Sequence, residues 1–312
     1  MKYLPFAAAF LIALIPFGLS SQFLVNLAML TLFSAFLGQA WNIAGGFGGL
    51  TSFGHAAFFG LGAYSAAILS IQGISAWFAL PLAALLGGAA GAAIGFASFR
   101  AGLRGSYFAL VTLAFAEAFR VLATSSEWTR GGQGINIPLN LGFENFQFSD
   151  RKASYAVILT LLVLVMAFAA WLRGARFGAR LAAVRENEDA ARALGVDIVR
   201  TKTTALAISG AITALGGVVY AQTYLFVDPL IAFGVERSVE MLLVVMIGGA
   251  GSVWGPVFGA IALHLVADTA RIWISTPGFA PMLYGIVLLL IVWGLPGGIA
   301  GLAAKFRKRP DA

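Results

Sequence analysis

Apolar residues fall in long runs separated by short polar or Gly/Pro-containing breaks, with no sign of the alternating ten-residue strands of a membrane β-barrel. The hydrocarbon core of a bilayer takes about 20 apolar residues per helix. Ten runs near that length are predicted, at 4–20, 23–43, 55–72, 76–99, 107–124, 155–172, 204–226, 238–250, 254–273 and 280–299. The eighth is too short to cross about 30 Å at 1.5 Å per residue, so it is predicted to be extended, broken or partly inserted. Two polar segments, 125–154 and 173–203, are long enough to do more than turn the chain. The expectation is an all-α integral membrane protein: one domain over 1–312, a polytopic helical bundle of about ten transmembrane segments, some short or broken.

Composition agrees with that class. Hydrophobic residues make up 60% and charged residues 11%, against about 25% charged in soluble domains. The 38 Gly and 26 Phe suit helices packed closely in lipid. There is no Cys, which excludes thiolate metal sites and Cys nucleophiles, and His55 and His264 alone make a histidine metal centre an unfavoured expectation. No metal is expected. The net charge of +7 does not point to nucleic acid, because Lys and Arg lie in short segments between apolar runs, where they set orientation. With the N-terminus inside, six basic residues (Arg120, Arg130, Arg151, Lys152, Arg237 and Arg271) fall outside or near outer ends, and the other fourteen of 20 fall inside. Both termini are then cytoplasmic, 125–154 is external and 173–203 is cytoplasmic. The opening MKYLPFAAAFLIALIPFGLSSQ resembles a signal peptide, but without an A-x-A site it is read as an uncleaved first span.

Asn187 through Gly195 has the grammar of a short helix. Asn187 can cap it, Glu188 and Asp189 suit its positive end, Ala190, Ala191 and Ala193 favour helix, and Gly195 can take the left-handed conformation that ends it. So short a helix is marginal alone and must be held by its flanks or a partner. It is a candidate docking element; the alternative is a well-capped connecting turn.

The run E-x-A-A-x-x-x-G at Glu188, Ala190, Ala191 and Gly195 resembles the cytoplasmic motif of ABC importer permeases. RENEDAARALGVDIVRTKTTALAISGAITALGGVVYA is similar to the branched-chain amino acid permeases of the LivH/LivM type. The stretches at 41–64, 103–122, 129–138 and 241–260 resemble the same family, more its LivM branch. The resemblance implies a membrane subunit of an ATP-driven importer in a bacterial-type inner membrane. Its implied partners are a second permease subunit, like or unlike, two cytoplasmic ATPase subunits and an extracytoplasmic binding protein. It implies contact with the ATPase at Arg185, Glu186, Asn187, Glu188, Ala190, Ala191, Leu194 and Gly195. The implied cargo is a small neutral amino acid, with urea or short amides as related options. The chain has no G-x-x-x-x-G-K-[ST], so no cofactor is expected in it, and ATP and Mg belong to the partners. It is not expected to be an enzyme, and H-E-x-x-H and G-x-S-x-G are absent.

Gly87, Gly91 and Gly95 recur every four residues and form a packing stripe, expected against another span of this chain or a subunit interface. GGLTSFGHAAFFG (48–60) and GGAGSVWGPVFG (248–259) look alike, either as a remnant of duplication or as two independent turns. In the first case they point to a substrate pathway at Ser52, Gly54, His55, Ser252 and Gly255. Glu117 with Arg120, and Asp268 with Arg271, are spaced for local ion pairs. The competing function is an ion- or proton-coupled secondary transporter using Glu117 and Asp268. The glycines of 129–138 predict a mobile or tightly turned external loop, which contacts the binding protein, closes the outer mouth or merely connects.

Overall fold

The computed structural model describes residues 21–273, 282, 285–286 and 297–301. Helix α1 (Gln22–Asn42) continues into a π-helical turn (Ile43–Phe47). Four helices follow: α2 (His55–Ile71), α3 (Ala79–Arg100), α4 (Gly105–Ser125) and α5 (Arg151–Gly174). Two short ones, α6 (Arg176–Glu186) and α7 (Glu188–Ala193), lead into α8 (Ile198–Tyr224). The described chain continues through α9 (Pro229–Ala232), α10 (Val235–Gly248) and α11 (Gly255–Trp273). The fold is all-helical apart from a two-residue ladder in which β1 (Ile135–Asn136) pairs antiparallel with β2 (Phe226–Val227), Ile135 opposite Val227.

Among the described residues, five segments are long and apolar enough to cross a membrane: Gln22–Phe47, α3, α4, α5 and α8. Helix α2 and residues Gly255–Val266 of α11 are shorter apolar helices. The expected first span, 4–20, and most of the tenth, 280–299, lie outside the described residues, as do all but the last two residues of the leader-like opening. The eighth remains short: α10 has 14 residues, about 21 Å of helix. It is preceded by α9, which Asp228 caps by accepting from the Leu230 and Ile231 amides at 2.6 and 3.3 Å.

Helix α8 is the centre of the bundle. In its most apolar 18-residue window 67% of residues are buried, against 28% in α4, which lies at the periphery. The glycine stripe of α3 accounts for the closest approach to α8. A Cβ at Gly87 would stand 2.5 Å from the Gly210 carbonyl oxygen, one at Gly91 2.6 Å from that of Leu206, and one at Gly95 3.2 Å from Thr203 Cα. Backbones this near exclude side chains and gain dispersion contact along the whole face.

The 125–154 segment is more ordered than a mobile connection. It makes three 3₁₀ turns around β1. Gly134, at φ +73, turns toward β2, where a Cβ would meet the Val227 carbonyl at 2.7 Å. Gln147 closes the far side, accepting from the Asn140 amide at 2.8 Å and donating to Pro138 O and Gln222 Oε1, each at 3.1 Å.

Candidate functional site

The site is built at the end of the bundle where α6, α7 and the start of α8 meet the two glycine-rich segments. Asn187 ends α6 in an extended conformation, and its Oδ1 accepts from the Asp189 and Ala190 amides at 3.0 Å each. At the other end of α7 the Leu194, Gly195 and Val196 amides donate to the Ala190, Arg192 and Ala191 carbonyls, with Gly195 at φ +83. Asp197 caps α8 by accepting from the Arg200 amide at 2.9 Å. Six residues cannot hold a helix alone, and both ends here are fastened by the sequence itself.

Inward packing decides which face of α7 is left. Ala191 is buried with Val184 and Ile198 in a small apolar cluster. Glu188 is half-buried and forms ion pairs with Lys202 of α8 and with Arg104 Nε, the latter at 3.1 Å. Lys202 is 5% exposed and also lies 5.2 Å above the Phe99 ring. Of the residues singled out in sequence, Ala191 and Glu188 therefore hold α7 to the body. Arg185, Glu186, Asn187, Ala190, Leu194 and Gly195 lie on the open surface, Leu194 being 83% exposed.

Arg185 also reaches back into the bundle. Its Nη1 donates to the Gly46 carbonyl at 2.7 Å, inside the π turn. One turn earlier Asn42 joins the second glycine segment, its Oδ1 accepting from the Gly251 amide and its Nδ2 donating to the Ser252 carbonyl, both at 2.9 Å. Gly46 is required here, because a Cβ would stand 1.8 Å from Asn42 Oδ1. Arg185, Glu188, Arg104 and Lys202 line a cavity of about 70 Å³ together with Gly48, Gly49 and Thr51. The end of α1 and its π turn, which lead into the first glycine segment, are thus joined to the second some 200 residues away, and Arg185 of α6 lies against Gly49 of the first and Gly251 of the second.

The polar residues of the first segment are enclosed. Ser52 and His55 are fully buried. Ser209 donates its hydroxyl to the Ala40 carbonyl at 2.7 Å, so it accepts from His55 Nε2, also at 2.7 Å; Nδ1 then accepts from Ser52 at 3.1 Å. The Gly54 amide donates to Ser52 Oγ at 3.2 Å, the Phe53 amide to Thr112 Oγ1 at 3.1 Å and the Ala56 amide to Ser238 Oγ at 2.8 Å. Irregular backbone is therefore satisfied within the protein. Gly255 is buried at the start of α11, 2.3 Å from the Gly249 carbonyl if given a Cβ, and Ser252 is half-buried with its carbonyl taken by Asn42.

The Glu117 and Arg120 pair forms on α4, with Arg120 Nε donating at 2.8 Å. The side chains of Asp268 and Arg271 lie outside the described residues. Among the described residues no group of three or more His, Asp or Glu is placed to hold a metal ion.

Residues 6–292 match the family described as branched-chain amino acid transport system / permease component. The chain belongs to this family. The permease is 32% identical to the high-affinity branched-chain amino acid transport system permease protein LivM of Escherichia coli, over 91% of this chain and 73% of that one. It is 30% identical to a probable LivM permease of Methanocaldococcus jannaschii over 71% and 67% of the two chains. It is 25% identical to Escherichia coli LivH over 51% and 50%. No solved structure matches it. The permease is thus a multi-pass membrane protein, the permease component of an ABC-type branched-chain amino acid transport system, and not itself catalytic.

Sequence reasoning missed Asn42, Arg104 and Lys202 as parts of this junction. Lys202 and Arg104 were absorbed into the charge that sets orientation, although Lys202 follows a capped helix by one short turn. Asn42 had a visible signal, an amide side chain closing an apolar run just before Gly45 and Gly46.

Proposed function

We propose that the permease forms part of the pathway for branched-chain or other small neutral amino acids in an ATP-driven importer, and that α7 docks a separate ATPase. Four observations support this reading: the family, the fastened two-ended cap of α7, its outward Ala190 and Leu194, and the tie from Arg185 to the glycine-rich junction. The observation that carries it is that last tie. A docking helix needs a rigid connection to the membrane body, and Arg185 with Asn42 links α6 to both glycine segments.

In this reading 173–203 faces the cytoplasm, 125–154 faces outward and about ten segments span the inner membrane, with both termini inside. This follows from the excess of Lys and Arg around α6 and α7. Two ATPases bind ATP and Mg, a second permease completes the pathway and a soluble binding protein delivers substrate. Ser52, Gly54 and His55 are held by hydrogen bonds inside the chain, the Ser252 carbonyl is tied to Asn42, and Gly255 allows the close approach of Gly249. Uptake that stops on ATP depletion and persists when ion gradients are collapsed supports the importer. The reverse pattern overturns it in favour of a secondary transporter.

A further inference from the structure

A second ionic cluster lies away from the junction, within the apolar body. Arg237 and Glu240 stand three residues apart on α10, with Arg237 Nη1 3.2 Å from Glu240 Oε2. Ser34 of α1 donates to the other carboxylate oxygen at 2.7 Å. His264 of α11 places Nε2 2.9 Å from the Ser34 oxygen. Because the Ser34 hydroxyl donates to Glu240, the histidine nitrogen is the donor in that contact. Ser34 is midway along the 26-residue apolar segment Gln22–Phe47, so the Glu240 carboxylate is held near half depth. The Arg237 guanidinium lies over the Phe59 and Tyr220 rings, 5.6 and 5.2 Å from their centres.

Charges at this depth are costly and face a pathway or a partner. Among the described residues, this pair differs from the Lys202–Glu188 and Arg120–Glu117 pairs in a way that bears on use. Lys202 is closed over, at 5% exposure, and serves to anchor α7. Arg120 grips Glu117 through two nitrogens on one helix, with no second element involved. Arg237 and Glu240, by contrast, meet through a single contact, retain 25% and 30% exposure and are touched by α1, α2 and α8, with His264 of α11 reaching the Ser34 that donates to Glu240. A ligand that bears one charge of each sign can replace the counter-charge of each partner.

The geometry points to this cluster as a binding station for a zwitterionic α-amino acid with an apolar side chain, taken up by exchange of ion pairs. The ligand carboxylate takes the Arg237 guanidinium, whose planar fork suits two parallel hydrogen bonds. The ligand ammonium takes Glu240, in place of the guanidinium it now faces. The apolar side chain rests on Tyr224, which is 49% exposed and whose ring centre stands 4.7 Å from that of Tyr220. Net charge in the membrane is unchanged throughout, which a singly charged analogue cannot achieve. The inference rests on the proposed passage of substrate through this chain.

The test uses the intact complex in proteoliposomes during ATP turnover, with diazirine-bearing leucine as the photoprobe and peptide mass spectrometry of this chain. The expected adducts fall on peptides containing Tyr220 or Tyr224. They are suppressed by leucine and at least about tenfold less well by leucinamide or 4-methylpentanoate, each of which lacks one charge. In Glu240→Gln the preference for leucine over 4-methylpentanoate collapses, a change in selectivity that loss of structure alone would not produce. Adducts confined to other helices, or an unchanged preference in Glu240→Gln, overturn the inference. The wild-type adduct map decides the matter even if the variant does not fold. Failure of the importer reading is separate, since it shows as absence of a co-purifying ATPase whatever the adduct map.

Discussion

Lys202 carries a full charge on a side chain that is 5% exposed, with Glu188, Arg104 and the Phe99 ring around it. Removing one partner of a buried pair leaves the other charge uncompensated, which costs about 3–5 kcal/mol. Glu188 is itself 19% exposed, so Glu188→Gln is expected near the lower end of that range. The double variant Glu188→Gln/Lys202→Met should recover most of the loss. Thermal unfolding of the purified permease checks both, and equal destabilisation in the single and double variants would show that the pair does not hold α7. Asn42 offers a second test at this scale. Asn42→Leu strands the Gly251 amide and Ser252 carbonyl, at about 1–3 kcal/mol each if water stays out. The account predicts a lower melting temperature together with ATP hydrolysis that no longer tracks uptake. Coupling unchanged in a destabilised variant would limit Asn42 to a structural part.

The contact between α3 and α8 makes an element-scale prediction with its own control. Gly91→Val puts atoms where the Leu206 carbonyl already stands 2.6 Å from a Cβ, whereas Gly88→Ala, on the same helix, meets Ala211 Cβ at an ordinary 3.5 Å. The first is expected to cost about 1–3 kcal/mol or more through overpacking and the second almost nothing. Melting temperatures of the two variants settle it, and equal tolerance would mean the helices separate easily. The period-four stripe was legible in sequence because backbone contact requires small residues at fixed spacing. The α7 caps were legible for a similar reason, since Asn187 and Gly195 each supply a local property that few residues share. Helix α6 was not, because its Arg176, Arg180 and Arg185 mask a helical face carried by only Leu181 and Val184. The buried state of Ser52 and His55 was also hidden. Their partners Ser209, Thr112 and Ser238 come from distant helices, and only the packed bundle brings them together.

At the scale of the whole molecule, the central bundle around α8 and the junction below it divide the work. The bundle holds the polar cluster of Arg237 and Glu240 within its apolar body, and the junction ties α6 to both glycine segments. Runs of apolar residues revealed the bundle, and family motifs revealed the junction's outer face. The tie between the end of α1 and the second glycine segment is long-range and could be seen only once Asn42 met Gly251. Docking on α7 should depend on its exposed apolar surface more than on its charges, because Leu194 is 83% exposed while Glu188 is engaged inward. The most direct measurement is purification of the tagged permease in mild detergent, wild type beside Leu194→Asp, with quantification of the ATPase that accompanies each. The account predicts that the wild type brings an ATPase with it, and that Leu194→Asp, equally folded by its melting temperature, loses at least about nine-tenths of it, a shift of about 1.4 kcal/mol in affinity. An ATPase retained in full by Leu194→Asp, or absent from the wild type, would contradict docking through α7.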